Sequence, residues 1–229
     1  MKKISTFFKP FEWIYLLGSF ACIIIFAILY HNSVFDIIAT LCGILAASIN
    51  LKARRCAFIF YAVYVSIYGI TSFFNHIYGE AILNIFYCLP LYLFTIYNLY
   101  LNKNKEHSAS LYINKLPIKG YIMILIIVPI ITIGYGFLLK YLNSTLPFAN
   151  ALATAVALIS SFLASKAYKE QWIFWCLYSL VLIFIWLSVF IEKGSNGLVY
   201  FILNIIYVGI NIYGLIIWQK KYKLQNIEN

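Results

Sequence analysis

Charge is scarce in this chain. Only 10% of its 229 residues are charged, and seven are acidic: Glu12, Asp36, Glu80, Glu106, Glu170, Glu192 and Glu228. All seven fall at the ends of apolar runs, in polar connections or in the tail, so no carboxylate is expected near the middle of a run. His31, His76 and His107 also lie in or beside connections. That distribution argues against an acid–base relay inside an apolar interior. No Walker motif is present, so the chain is not expected to consume nucleotide. The five cysteines (Cys22, Cys42, Cys56, Cys88, Cys176) form no CxxC pair and read as small packing residues. Neither a metal, a disulfide framework nor a cofactor is expected.

Apolar sequence is what the chain has in abundance. Hydrophobic residues make up 64%, with 20 tyrosines and 19 phenylalanines, and mean hydropathy is +0.89. Such runs fit an all-α polytopic membrane protein whose partner is the lipid bilayer. Eight spans are expected, at about residues 11–30, 36–51, 56–74, 80–100, 118–139, 147–165, 171–190 and 197–218, the second and sixth being short. The first is too long for a signal peptide, and no small-residue cleavage site follows it, so it is read as a retained helix.

The net charge of +10 does not point to nucleic acid, because the basic residues sit in short connections. Lys2, Lys3, Lys9, Lys52, Arg54, Arg55, Lys103, Lys105, Lys115, Lys119, Lys166, Lys169, Lys220, Lys221 and Lys223 fall on one side of an eight-span plan; only Lys140 and Lys193 fall on the other. The rich side is expected to be cytoplasmic, with both termini inside.

The two halves look related. A shift of 114 aligns Asp36–Tyr64 with Asn150–Tyr178, pairing Ala39-Thr40 with Ala153-Thr154 and Tyr64 with Tyr178. A shift of 120 pairs Asn84 and Tyr87 with Asn204 and Tyr207. Two parallel three-helix repeats joined by a linker helix follow, a transporter architecture with substrate bound between repeats. The expected divisions are an N-terminal helix (1–35), a first repeat (36–101), a connection with linker helix (102–145), a second repeat (146–220) and a tail (221–229).

Polar and aromatic residues fall at helical spacing inside these runs. Asn204, Tyr207, Asn211, Gly214 and Trp218 share one face of the last span. Buried amides require partners, so this face is expected to meet a ligand. Trp172, Trp175, Ser179 and Trp186 line one face of the seventh span, and Phe58, Tyr61, Tyr68 and Ser72 the equivalent face of the third. Two such stripes could flank a flat ring, and Trp172 reads equally as an interfacial anchor. Asn84 and Tyr87 share a face of the fourth span with Asn98, with Pro90 between. The candidate substrate-binding residues are therefore Trp175, Ser179, Asn204, Tyr207, Asn211, Asn84, Tyr87, Tyr61 and Trp172. With no relay expected near midplane and no nucleotide motif, facilitated diffusion by rocking of the repeats is the expected mechanism, and a neutral aromatic cage can still hold a cationic ring. A membrane-embedded enzyme and a non-transporting subunit are the alternatives.

These residues give the chain a resemblance to the PnuC-type vitamin transporters over about residues 36–220. Tyr168-Lys-Glu-Gln-Trp172-Ile-Phe-Trp175 looks like the family's basic loop and WxxW signature. Asn204, Tyr207, Asn211, Tyr213, Gly214 and Trp218 match its QxxFxxxNxYGxxxW helix, with asparagine for glutamine. The resemblance implies a SWEET-like helix plan and a homotrimer in a bacterial inner membrane. It also implies uptake of nicotinamide riboside, thiamine or riboflavin, trapped by a cytoplasmic kinase. Two departures bear on the substrate. Ser179 stands where nicotinamide riboside members are expected to carry asparagine or aspartate. The NxYG element lies in the second repeat, while the matching first-repeat positions hold Leu91, Leu93 and Phe94. Both favour thiamine.

Overall fold

The computed structural model describes residues 8–52, 54, 56–101, 112–193, 197–225 and 227. Lys2, Lys3, Arg55, Lys103, Lys105, Glu106, His107 and Glu228 lie outside them. The helices are α1 (Pro10–Leu29), α2 (Val34–Asn50), α3 (Ala57–Phe74), α4 (Tyr78–Ile82), α5 (Leu89–Leu101), α6 (Ile118–Tyr141), α7 (Pro147–Ser165), α8 (Gln171–Lys193) and α9 (Leu198–Gln225). A π-helical turn, Leu83–Cys88, joins α4 to α5, and the three together form one apolar segment, Tyr78–Asn98. Among the described residues seven helices are long and apolar enough to cross a membrane, with α2 as a shorter eighth. The sixth span, expected to be short, has 19 residues and qualifies.

The π turn has a local cause. Proline lacks an N–H and its ring crowds the carbonyl four residues back, so the chain ahead of Pro90 cannot hold regular α-helical bonding. The Leu89 N–H donates instead to the Asn84 carbonyl, five residues back. Asn84 therefore sits on a locally widened helix.

The repeats pack in a crossed pattern. The third span of the first repeat, through α4 and the π turn, packs on α7, the first helix of the second. In turn α9, the third helix of the second, packs on α2. Side chains keep the same register. The Thr40 hydroxyl donates to the Asp36 carbonyl at 2.8 Å, and Thr154 to the Asn150 carbonyl at 2.9 Å. Asn84 Nδ2 donates to the Glu80 carbonyl and Asn204 Nδ2 to the Tyr200 carbonyl, both at 2.8 Å. Small residues on α2 (Ala39, Gly43, Ala46, Ala47) and α7 (Ala151, Ala153, Ala155, Ala157) are buried and allow close helix approach.

Helices outside the repeats occupy matching places. The linker α6 packs on α7, and α1 packs on α2 and α9. Polar contacts fasten α1: Glu12 accepts from Lys52 Nζ at 2.5 Å and from the Tyr213 hydroxyl at 3.0 Å. The Tyr15 hydroxyl donates to the Ile206 carbonyl at 2.7 Å.

Candidate functional site

Between the repeats, α2, α3, the π turn, α5, α7, α8 and α9 line a narrow cavity. Seven of the nine candidate residues line it: Tyr61, Asn84, Trp172, Trp175, Ser179, Tyr207 and Asn211. Asn204 and Tyr87 do not. Asn204 lies almost two turns before Asn211, is fully buried and spends its amide on the Tyr200 carbonyl. Tyr87 is half-buried, because the wider π winding turns it off the face it would share with Asn84 in an α-helix.

The walls are aromatic. Trp172 is 2% exposed and meets Trp218 edge to face at 5.8 Å, so it packs inside the bundle and is not an interfacial anchor. Gly214 makes this possible, since a Cβ there would overlap the Trp172 ring. The Trp172 indole N–H has no hydrogen-bond partner among the described residues. Trp175 meets Tyr178 at 5.5 Å, nearly perpendicular, and Tyr61 stacks on Tyr92 at 5.5 Å. Tyr207 meets Tyr64 edge to face at 6.3 Å, with its hydroxyl packed where Gly43 lacks a side chain. Tyr64, Tyr92, Tyr178 and Asn50 also line the cavity and were not among the candidates. The repeat alignment carried a signal for two of them, because it matched Tyr64 to Tyr178; nothing in the sequence marked Tyr92.

The polar side of the cavity joins two helices. Asn211 Nδ2 on α9 donates to Ser179 Oγ on α8 at 3.2 Å, and Ser179 donates to the Trp175 carbonyl at 2.9 Å. A serine thus suffices at this position because an amide from the neighbouring helix reaches it.

One expectation is corrected. Glu80 is near the start of its span, as the sequence suggested, yet its side chain is fully buried in the bundle. Its Oε2 accepts from the Tyr178 hydroxyl at 2.5 Å and from Asn84 Nδ2 at 3.3 Å. Tyr178 lies well inside α8, and both partners line the cavity. The acid at the end of an apolar run therefore turns inward, because its span meets α7 there: a Cβ on Gly79 would fall against Asn150 and Thr154.

Beyond this carboxylate lies a packed aromatic layer. Trp186 Nε1 donates to the Tyr68 hydroxyl at 3.0 Å, and the Trp186 and Tyr200 rings lie 4.7 Å apart. The Tyr200 hydroxyl donates to Asp36 at 2.7 Å, as does Thr71 at 2.8 Å. Trp186, expected on the cavity face, belongs to this layer. At the other end Asn50, Tyr61, Tyr92 and Trp175 also border a second cavity that reaches Asn98 and Lys166. Among the described residues no three metal-ligating side chains cluster.

The comparisons with known proteins agree on one family. The family model described as nicotinamide mononucleotide transporter matches residues 33–220. The chain is similar to the nicotinamide riboside transporter PnuC of Neisseria mucosa, with 23% identity over 81% of this chain and 72% of that protein. It is also similar to the protein of that name from Haemophilus influenzae, with 22% identity over 95% and 93%. A crystal structure of the vitamin B3 transporter PnuC has the same fold, with a TM-score of 0.80, 22% identity, and coverage of 94% of this chain and 93% of the other.

Proposed function

The chain belongs to the nicotinamide mononucleotide transporter family, and on that premise we propose that it takes up a small water-soluble vitamin, nicotinamide riboside first, through the cavity between its repeats. Membership in a transporter family sets aside the membrane-embedded enzyme and the non-transporting subunit. The observation that carries the substrate reading is the Trp172–Trp175 wall facing the Asn211–Ser179 pair. Ring faces hold a flat, cationic pyridinium, and the amide and hydroxyl suit the ribose hydroxyls. The relatives named as nicotinamide riboside transporters support the same choice.

Thiamine is the second reading, and Ser179 favours it: a thiazolium and an aminopyrimidine need aromatic faces and amides but no longer acceptor at this position. Transport is by alternating access of the two repeats around a fixed site, without a driving ion. The second cavity, which shares Asn50, Tyr61, Tyr92 and Trp175 with the first, reaches Lys166, on the side that the distribution of basic residues assigns to the cytoplasm. That arrangement supports an inward-facing state, with the layer of Tyr68, Trp186, Tyr200 and Asp36 on the outer side. The protein works in a bacterial inner membrane, with both termini cytoplasmic, as a homotrimer. A cytoplasmic kinase phosphorylates the vitamin so that it cannot leave.

Proteoliposomes test the reading. With a nicotinamide riboside kinase and ATP inside, labelled nicotinamide riboside is expected to accumulate; with a thiamine kinase, labelled thiamine is the comparison. Accumulation of neither, with no binding to the purified protein, would overturn the vitamin reading.

A further inference from the structure

Glu80 is a buried acid that no step of simple facilitated diffusion requires. Side chains of this kind are rare in membrane interiors, and an uncompensated one is strongly unfavourable. Among the described residues Glu80 is not paired with a base: its Oε2 holds the Tyr178 hydroxyl and Asn84 Nδ2, and the Tyr68 hydroxyl lies beside the carboxyl group. Among the described residues it is the acid whose hydrogen-bond partners line the cavity. The repeat symmetry makes its presence specific. The register that pairs Asn84 with Asn204 places Glu80 opposite Tyr200, so the second repeat has no carboxylate there.

The links from the carboxylate to the cavity are short. Glu80 accepts from the Tyr178 hydroxyl, which draws electron density into that ring, and the Tyr178 ring stands against Trp175. A negative charge behind an aromatic wall strengthens the attraction of ring faces for a cation. In an apolar surrounding its field also reaches the cavity with little screening. We propose that Glu80 is a specificity-determining residue: its carboxylate, set behind Tyr178 and Asn84, makes the cavity prefer a cationic ring to a neutral one of the same shape.

This inference rests on the cavity being the substrate site. Nicotinamide riboside carries a permanent pyridinium charge, and its dihydro form is a neutral near-isostere. Binding of both to purified wild-type protein, Glu80→Gln and Glu80→Asp gives the test. Glutamine keeps an oxygen for the Tyr178 hydroxyl and removes the charge; aspartate keeps the charge. The wild type is expected to prefer the cation by on the order of tenfold or more, the size expected of one poorly screened charge. Glu80→Asp is expected to keep that preference and Glu80→Gln to lose most of it. Differences in ring stacking between the two ligands are common to all three proteins and cancel in the ratio. An unchanged ratio in Glu80→Gln overturns the proposal while leaving the transporter reading intact. Equal affinity of the wild type for both forms overturns it even if the variants fail to fold. A wild type that binds neither nicotinamide riboside nor thiamine overturns both readings.

Discussion

At the scale of single residues, the cavity depends on where atoms are missing as much as on where they are present. Trp172 reaches its buried place because Gly214 offers no side chain. Gly214→Ala forces a methyl into the indole, and such overpacking typically destabilises by about 1–3 kcal/mol. A lower unfolding temperature in detergent, with weaker ligand binding, is the expected outcome; an unchanged melting curve would mean that Trp172 moves aside freely. Trp175 and Asn211 face the cavity from neighbouring helices. Removing either ring or amide is expected to weaken vitamin binding by on the order of tenfold or more while membrane insertion persists. Titration calorimetry on Trp175→Ala and Asn211→Ala checks this, and wild-type affinity in both would reduce them to packing residues. The nine candidates were legible because aromatic and amide side chains recur at helical spacing. Seven reach the cavity. Tyr87 does not, because periodicity assumes a regular α-helix and the π turn breaks it.

At the scale of elements, the fourth span is the irregular one. Its π turn places Asn84 on the cavity and frees Tyr87 from it, and the cause is Pro90. In Pro90→Ala the missing N–H is restored, and the segment is expected to relax toward α-helix. Asn84 then rotates relative to Glu80 and Tyr178. Reduced uptake at near-normal expression is the expected result, checked in whole cells with labelled vitamin; full uptake would show that the turn is incidental. The first helix has a comparable local logic. Glu12 joins Lys52 at the end of α2 to Tyr213 on α9. Such a bridge fastens α1 across both repeats. Glu12→Gln is expected to lower thermal stability by about 1–3 kcal/mol, since it leaves a poorly solvated lysine without its counter-charge. A melting curve matching wild type would show that α1 is held by apolar packing alone.

At the scale of the whole molecule, the crossed packing of third on first spans forms a cavity at the repeat interface that shares Asn50, Tyr61, Tyr92 and Trp175 with a second cavity. Rocking of the repeats needs no ion if substrate alone occupies the site. Dissipating the proton gradient in loaded vesicles is therefore expected to leave equilibrative uptake unchanged. Strict dependence on the gradient would overturn uniport, and Glu80 would then be the first residue to examine as a proton carrier.

The sequence by itself determined the class of the molecule. Span count, helical content and the relation of the halves all follow from hydrophobic runs, charge placement and matched polar positions, which are local properties of a chain in a bilayer. It also supplied the aromatic and amide faces that meet at the cavity. Only the tertiary structure decided that Tyr92 completes the walls, since it differs from other tyrosines in its neighbours and not in its spacing; the repeat alignment paired Tyr64 with Tyr178 but did not place them on the cavity. The tertiary structure alone moved Glu80 from the end of a run to the interior. One-dimensional position sets where a residue starts along a span; the helix packed against that span sets whether its side chain meets lipid, water or a buried hydroxyl.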